Sequence, residues 1–218
     1  MRYYYNFKNK NNEKIEYILL FICFLSSQLL QAQEVKESKF SIISFGGIGY
    51  GIVVNDKQPN YNLNSNNGEL LLNYKVNNKF GLATGIGLNE LSGSGFNANG
   101  NFYHERSLIK IPLLGTMDYP VSDKVKMIGN FGFFAQNIVK DNYRFQNTVE
   151  KDNFDGWNFG AQIGLGFVFK MSDYFSAGIN YSGQSDFSKF KSTNTNPTDD
   201  KQKIKNLNSI GVILQIDL

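Results

Sequence analysis

The one histidine of the 218-residue chain, His104, stands beside Glu105 and Ser107. A base, a nucleophile and an orienting acid are the side-chain types that hydrolysis needs, but the three must touch. In a segment that reads as a polar loop, nearness along the chain does not bring them together, and an exposed loop histidine is the expected state. A single histidine also excludes a multi-histidine metal site. The run Gly46-Gly47-Ile48-Gly49-Tyr50-Gly51 has the composition of a phosphate-cradling loop. Such a loop lies between a strand and a helix, whereas these glycines lie within an alternating strand that leads into a polar loop. No cofactor and no metal is expected. The only cysteine, Cys23, falls in an N-terminal apolar segment, so the chain beyond that segment has neither disulfide nor thiol chemistry. The net charge of +3 comes from scattered lysines with no basic stripe interleaved with aromatics, which argues against nucleic acid as a partner.

A different set of polar residues alternates with bulky apolar ones: Glu69, Asn73, Lys75, Arg106, Lys110, Asp118, Lys126, Asn130, Gln162, Asn180 and Gln215. They share the face that also carries most of the glycines. The expected chemistry is a network of hydrogen bonds and ion pairs filling an interior, with a narrow pore as the sharper alternative.

The elements that hold these residues are strands. Trp157, Phe159, Ala161, Ile163, Leu165, Phe167 and Phe169 lie on one face, opposite Asn158, Gly160, Gln162, Gly164, Gly166 and Val168; this is a period of two. Ile204, Ile210, Val212, Leu214, Ile216 and Leu218 read as one face of the last segment. Phe40–Ile52 and Phe80–Leu88 alternate in the same way, and Glu69–Val76, Ser107–Tyr119, Lys124–Ile138 and Tyr174–Ser185 complete eight candidate strands. Most have the roughly 9–11 residues that a tilted membrane strand requires. Tight turns at Asn77–Lys79, Pro120–Asp123 and Met171–Asp173 alternate with four long polar links, Asn55–Gly68, Ser92–Arg106, Lys140–Asp155 and Asp186–Lys203. Short turns on one side and long loops on the other are the rhythm of an outer-membrane barrel.

Alternation alone does not say which face meets lipid. Glycine and amide residues opposite the bulky face suit a narrow lumen better than a solvated surface, so the apolar face is read as lipid-facing. Closure then pairs every backbone amide. Tyr74, Phe80, Tyr119 and Phe169 near the short turns, and Tyr50, Trp157 and Tyr181 toward the long links, are read as interfacial aromatic girdles. The expected fold is all-β, an eight-stranded antiparallel up-and-down transmembrane β-barrel over 39–218. Ahead of it lie a signal peptide over 1–33 and a short periplasmic segment over 34–38. Lys8, Lys10 and Lys14 lead into the apolar stretch Tyr17–Leu25, and cleavage is expected after Ala32 or Gln33.

Pro112 interrupts the strand Ser107–Tyr119, where a bulge or an unpaired carbonyl facing the lumen is expected. Leu108-Ile109-Lys110-Ile111-Pro112-Leu113-Leu114 resembles the strand motif of the PorT-like outer-membrane β-barrel proteins of Bacteroidetes, small barrels of the OmpX and OmpA kind. Leu108, Ile111, Pro112, Leu113 and Leu114 carry the likeness, Asn130-Phe131-Gly132 resembles that family's fifth strand, and Ala32-Gln33 resembles the signal-peptide ends of that phylum. Lys110 stands where the family has a glutamate, so its partner must differ. The resemblance implies a non-enzymatic scaffold, interaction or secretion-associated role, with four polar loops at the cell surface. Outer-membrane lipid and lipopolysaccharide, and an envelope or secretion-machinery protein, are the expected partners of a monomeric barrel. A narrow passive porin and a lipid-modifying enzyme using His104 are the alternatives.

Overall fold

A computed structural model describes residues 39–97, 100–151, 153–193 and 200–218. The signal-peptide and periplasmic segments, with Cys23, lie outside the described residues. Eight long strands form one closed antiparallel ring: β1 (Phe40–Asn55), β2 (Tyr61–Lys75), β3 (Phe80–Asn97), β4 (Gly100–Pro120), β5 (Val125–Arg144), β8 (Trp157–Lys170), β9 (Phe175–Asp186) and β11 (Lys201–Asp217). Closure is made by β1 against β11, from Ser41 opposite Asp217 to Asn55 opposite Gln202. Three short strands, β6 (Val149–Lys151), β7 (Phe154–Asp155) and β10 (Phe190–Ser192), decorate the end of the ring away from Phe40 and Leu218.

The bulky face points outward. Ile86, Leu113, Phe131, Ile163 and Ile179 are each about 60% exposed, while their neighbours in sequence face a filled interior. On β4 the outward apolar run from Ile109 to Tyr119 spans roughly 26 Å at ~3.4 Å per residue and ~40° tilt, the height of the apolar band of an outer-membrane barrel. Above it the outward residues become Ser107 and Glu105, as they become Asn66, Asn64 and Asn62 on β2.

The three short turns repeat one arrangement. The amides of Val76, Val121 and Met171 donate to the carbonyls of Phe80, Val125 and Phe175, each at 2.9 Å. Asn77 and Ser172 accept backbone amides within their turns, the short-range bonding that suits Asn and Ser to such places.

The outer end differs from expectation. Two of the four expected long loops are largely strand: β2 begins at Tyr61, and β3 and β4 pair as far as Asn97 opposite Gly100. Polar residues there alternate too, with Leu63, Ser65 and Asn67 buried and Asn62, Asn64 and Asn66 exposed. The barrel wall thus continues beyond lipid into water, where a paired backbone and a polar outer face are both favourable. Among the described residues the β5–β8 and β9–β11 connections carry the short strands β6, β7 and β10.

Two bulges reset the alternation. On β5 the register shifts where Ser107 and Leu108 face Lys140 and Ile138; Val139 is the extra residue, and beyond it Asp141 and Tyr143 turn inward. On β11 the shift lies opposite Tyr50–Ile52, at Asn206, whose φ is 50°. Asn tolerates this left-handed conformation better than most residues. Ile204 therefore faces the interior, 3% exposed, rather than sharing the lipid face with Ile210. At Pro112 there is no bulge. The β3–β4 register is the same on both sides of it, and the Pro112 carbonyl accepts a bond from the Thr84 hydroxyl at 2.8 Å instead of standing open.

Some lumen glycines serve close approach of backbones. A Cβ on Gly178 would stand 1.8 Å from the Phe167 carbonyl oxygen of the neighbouring strand. Gly178→Ala should therefore destabilise the barrel by at least about 1–3 kcal/mol. A lower urea midpoint for refolding into vesicles is the readout, and an unchanged midpoint would contradict the geometry.

Candidate functional site

The inward face of β4, taken from the outer end, reads Phe102, His104, Arg106, Leu108, Lys110, Pro112, Leu114 and Thr116, all buried. These residues set the strata of the lumen. At the periplasmic end Lys75 pairs with Asp217 at 2.7 Å, and Gln215 donates to Asp118 at 3.3 Å. Thr116 donates to Asn73 at 2.7 Å, and Asn73 donates to Ser41 at 3.1 Å. An apolar layer follows, built from Ile43, Phe45, Leu71, Ala83, Leu114, Ile128, Val168 and Ile213.

The next stratum is charged. The Lys110 ammonium donates to Glu69, to Gln162 at 2.8 Å and to Gln184 at 3.0 Å, while Gln162 donates back to Glu69 at 3.2 Å. All three ammonium protons are used, which is what makes a buried lysine tolerable. Its Nζ also lies 5.3 Å from the Phe134 ring centroid. Glu69 is thus the acid that pairs with Lys110 in the lumen. Asp186 forms a smaller group nearby, accepting from Gln136 at 2.9 Å, Asn158 at 3.2 Å and the Ile204 amide at 2.7 Å.

Above these lies a second apolar cluster with Leu63, Leu91, Phe102, Leu108, Tyr143, Phe154, Phe190 and Leu207. Within it sits a network centred on Asp141. Arg106 donates through Nε to Asp141 at 2.8 Å and through Nη2 to Gln202 at 2.8 Å. Its guanidinium lies 5.4 and 5.5 Å from the Phe154 and Phe190 rings. His104 donates through Nε2 to Asp141 at 2.7 Å and accepts the Tyr61 hydroxyl at Nδ1, 2.9 Å away. The Tyr143 ring stacks on the imidazole at 4.0 Å.

This network stands above the apolar band, since Glu105 and Ser107 on the outer side of the same stretch are polar. Burial pulls the His104 pKa from 6.5 down to about 4, outweighing the opposite pull of Asp141. The imidazole is therefore neutral at pH 7. A folded-state value below the unfolded one means stability that is present above pH 6.5 and lost as pH falls toward 4. The stability advantage of wild type over His104→Gln should shrink by a few kcal/mol between pH 7 and 4.5. Hydrogen exchange at β4 and β5 amides across that range is the measurement; a constant difference would contradict a buried neutral histidine.

The exposed loop histidine expected from the sequence is not found, and His104 does not meet Glu105 or Ser107. His104 is 0% exposed in the lumen, and the other two face the opposite side of β4. Glu105 instead pairs with Lys140 at 3.2 Å and with Arg144. Of the residues expected in the lumen, Glu69, Lys110 and Gln162 converge, while Asn73, Lys75, Asp118 and Gln215 belong to the periplasmic end. Asn130 packs on Gly164, where a Cβ would meet its amide nitrogen at 2.6 Å. Lys126 is half-buried at the periplasmic rim and forms no salt bridge among the described residues. Tyr50, Tyr74, Phe80, Tyr119, Trp157, Phe169 and Tyr181 are all outward and 41–56% exposed.

A closed ring, apolar outside and polar within, is a membrane barrel by construction. The model of the family described as "Outer membrane protein beta-barrel domain" matches residues 18–214. The chain belongs to this outer-membrane barrel family. Neisserial surface protein A is similar in fold, with a TM-score of 0.52 at 9% identity over 83% of this chain and 98% of that one. The attachment invasion locus protein Ail of Yersinia pestis is 15% identical over 82% of this chain and 99% of its own, with a TM-score of 0.43. The N-terminal β-barrel domain of Pseudomonas aeruginosa OprF is 14% identical over 83% and 100%, with a TM-score of 0.45. No curated protein matches the chain.

In this outer-membrane barrel the described lumen side chains pack in successive polar and apolar strata. A void at the periplasmic end, beside Lys75 and Asp118, measures only about 10 Å³. The mouth at the outer end is roomier, a cleft of about 510 Å³ lined by Tyr61, Phe102, Tyr143, Asn153, Asp200 and Gln202 among others. Asp141, Tyr143 and Gln202 escaped the sequence reading because the two bulges turn them inward. The one sequence signal was pairwise spacing, His104 with Arg106 and Asp141 with Tyr143, each two apart on a common face.

Proposed function

We propose that the protein is a non-enzymatic, non-conducting barrel that anchors an extended outer end at the cell surface for interaction with partners. The observation that carries this reading is the stratum of Lys110, Glu69, Gln162 and Gln184 closed between two apolar layers. An ion crossing the barrel would have to break that ion pair and wet both layers. The outer wall, which runs past the apolar band on β2 to β5, supplies the interaction surface. A scaffold or secretion-associated role of the PorT-like type fits this build, as does a monomer embedded among outer-membrane lipid and lipopolysaccharide. The separation of His104 from Ser107 favours this reading over a lipid-modifying enzyme.

Purified barrel in planar bilayers should be electrically silent; regular unitary steps would replace this reading with the narrow porin. Detectable lipid hydrolysis by the wild type, lost in His104→Ala, would replace it with the enzyme. Photo-crosslinking in intact cells from the outer wall at Tyr103 should recover a defined envelope protein. A crosslinker at the lipid-facing Leu113 should recover lipid.

A further inference from the structure

The outward residues of β11 change character at Asn206. Below it are Ile216, Leu214, Val212 and Ile210, and above it Lys205, Lys203 and Lys201. With unbroken alternation those three lysines would face the lumen. The bulge, with Asn206 at φ 50°, turns them outward and sends Gln202 and Ile204 inward in their place. Lys191 of β10 lies directly opposite Lys201 and is exposed on the same side. None of the four forms a salt bridge among the described residues. The nearby acids are few and partly engaged: Asp56 pairs with Lys189 and attracts Lys201 and Lys203 from beyond salt-bridge distance, Asp200 accepts the amides of Asp56, Lys57 and Lys201, and Asp155 lies opposite Lys191 without pairing to it.

The height of this cluster is set by the aromatics. Tyr181 stands opposite Ile210, Tyr50 opposite Asn208 and Ile52 opposite Lys205. Lys205 is therefore the first outward residue above the girdle on its strand, and Lys203 follows ~7 Å further up. The rest of the rim at this level is of another kind. β2 presents Asn62, Asn64 and Asn66, while Lys140 and Arg144 of β5 are engaged by Glu105.

We propose that Lys191, Lys201, Lys203 and Lys205 form a site for the phosphate groups of an outer-leaflet lipid of the lipid A type. Like charges directly opposite in a sheet destabilise it, and an anion between Lys191 and Lys201 removes that cost. A compact ammonium is a good point charge for phosphate. The apolar wall of β9, β11 and β1 immediately below, with Ile179, Ile210, Val212 and Ile48 exposed, takes the acyl chains of the same molecule. That continuity of cationic sector and apolar wall favours a lipid over a soluble polyanion. The site deepens the reading of a surface-anchored barrel by naming the lipid that orients it.

The test is native mass spectrometry of the refolded full barrel in mild detergent with bisphosphorylated lipid A, and with lipid A stripped of its phosphates. Wild type should retain the phosphorylated lipid at least about tenfold better than Lys201→Gln/Lys203→Gln/Lys205→Gln, with the stripped lipid held equally by both. The corresponding triple Lys→Arg variant should retain it like wild type. A heat-modifiable gel shift in every variant shows that the barrel is folded. Equal retention of the two lipids by wild type, or no loss in the glutamine variant, would overturn the site. Phosphorylated lipid A left in place by competing inorganic polyphosphate supports it; full displacement at equal phosphate concentration would point to a soluble polyanion and overturn the lipid assignment. A barrel that conducts yet discriminates the lipids would sink the closed-barrel reading alone, and a silent one that fails to discriminate would sink this site alone.

Discussion

Lys110→Ala is expected to destabilise the barrel by about 3–5 kcal/mol, the usual cost of removing one member of a buried ion pair. The ammonium is fully buried and holds Glu69, Gln162 and Gln184 together. Without it the Glu69 carboxylate stays in a low-dielectric interior with only the Gln162 amide to bond it. Lys75, another lumen cation, is engaged with Asp217 at the periplasmic end. The companion variant Lys110→Met/Glu69→Leu removes the charge and its partner together, and should return to within about 1–2 kcal/mol of wild type. Urea titration of folding into vesicles gives both numbers. A single variant within 1 kcal/mol of wild type would show that the pair is solvated rather than buried.

Arg106→Met should cost a similar amount, about 3–5 kcal/mol, but at the outer end. The guanidinium lies between the Phe154 and Phe190 rings and supplies bonds to Asp141 and Gln202. Its loss leaves Asp141 with His104 and the Phe154 amide as donors. Two effects of Arg106 on His104 then disappear: direct repulsion of a second positive charge, and neutralisation of the shared carboxylate. The His104 pKa should climb from about 4 toward its ordinary 6.5, because Asp141 becomes free to attract the proton. An NMR titration of the single imidazole reads this directly, and an unmoved pKa would show that burial alone sets it. Hydrogen exchange should rise at the outer ends of β4 and β5 while the lipid-embedded parts stay protected.

The two variants bear on different parts of the molecule, and the sequence foresaw them unequally. Glu69, Lys110 and Gln162 lie on regular strand stretches where alternation assigns the face correctly. The three short turns, with Asn77, Asp123 and Ser172, are equally local. Period-two patterning, turn chemistry and the glycine-rich lumen face are near-neighbour properties of the chain, so eight strands, their order and the lipid side were legible from residues alone. The Pro112 segment was legible as a strand, but not its bonding, because Thr84 is 28 positions away.

What tertiary structure decided is everything that depends on a neighbouring strand. The Asn-rich stretch before Gly68 and the segment around His104 look like loops until β1, β3 and β5 supply hydrogen-bonding partners for their backbones. The extra residues at Val139 and Asn206 show only as register shifts against β4 and β1, and each inverts every assignment beyond it. That inversion carries Asp141 to His104 and Arg106, places Ile204 in the core and turns Lys205, Lys203 and Lys201 toward the lipid headgroups. Residue types and spacing determined that this chain closes into a membrane barrel with a polar lumen. Pairing across strands decided that an ion-pair stratum lies between two apolar layers of the lumen, that its histidine is a buried neutral prop, and which lysines the barrel shows to the membrane surface.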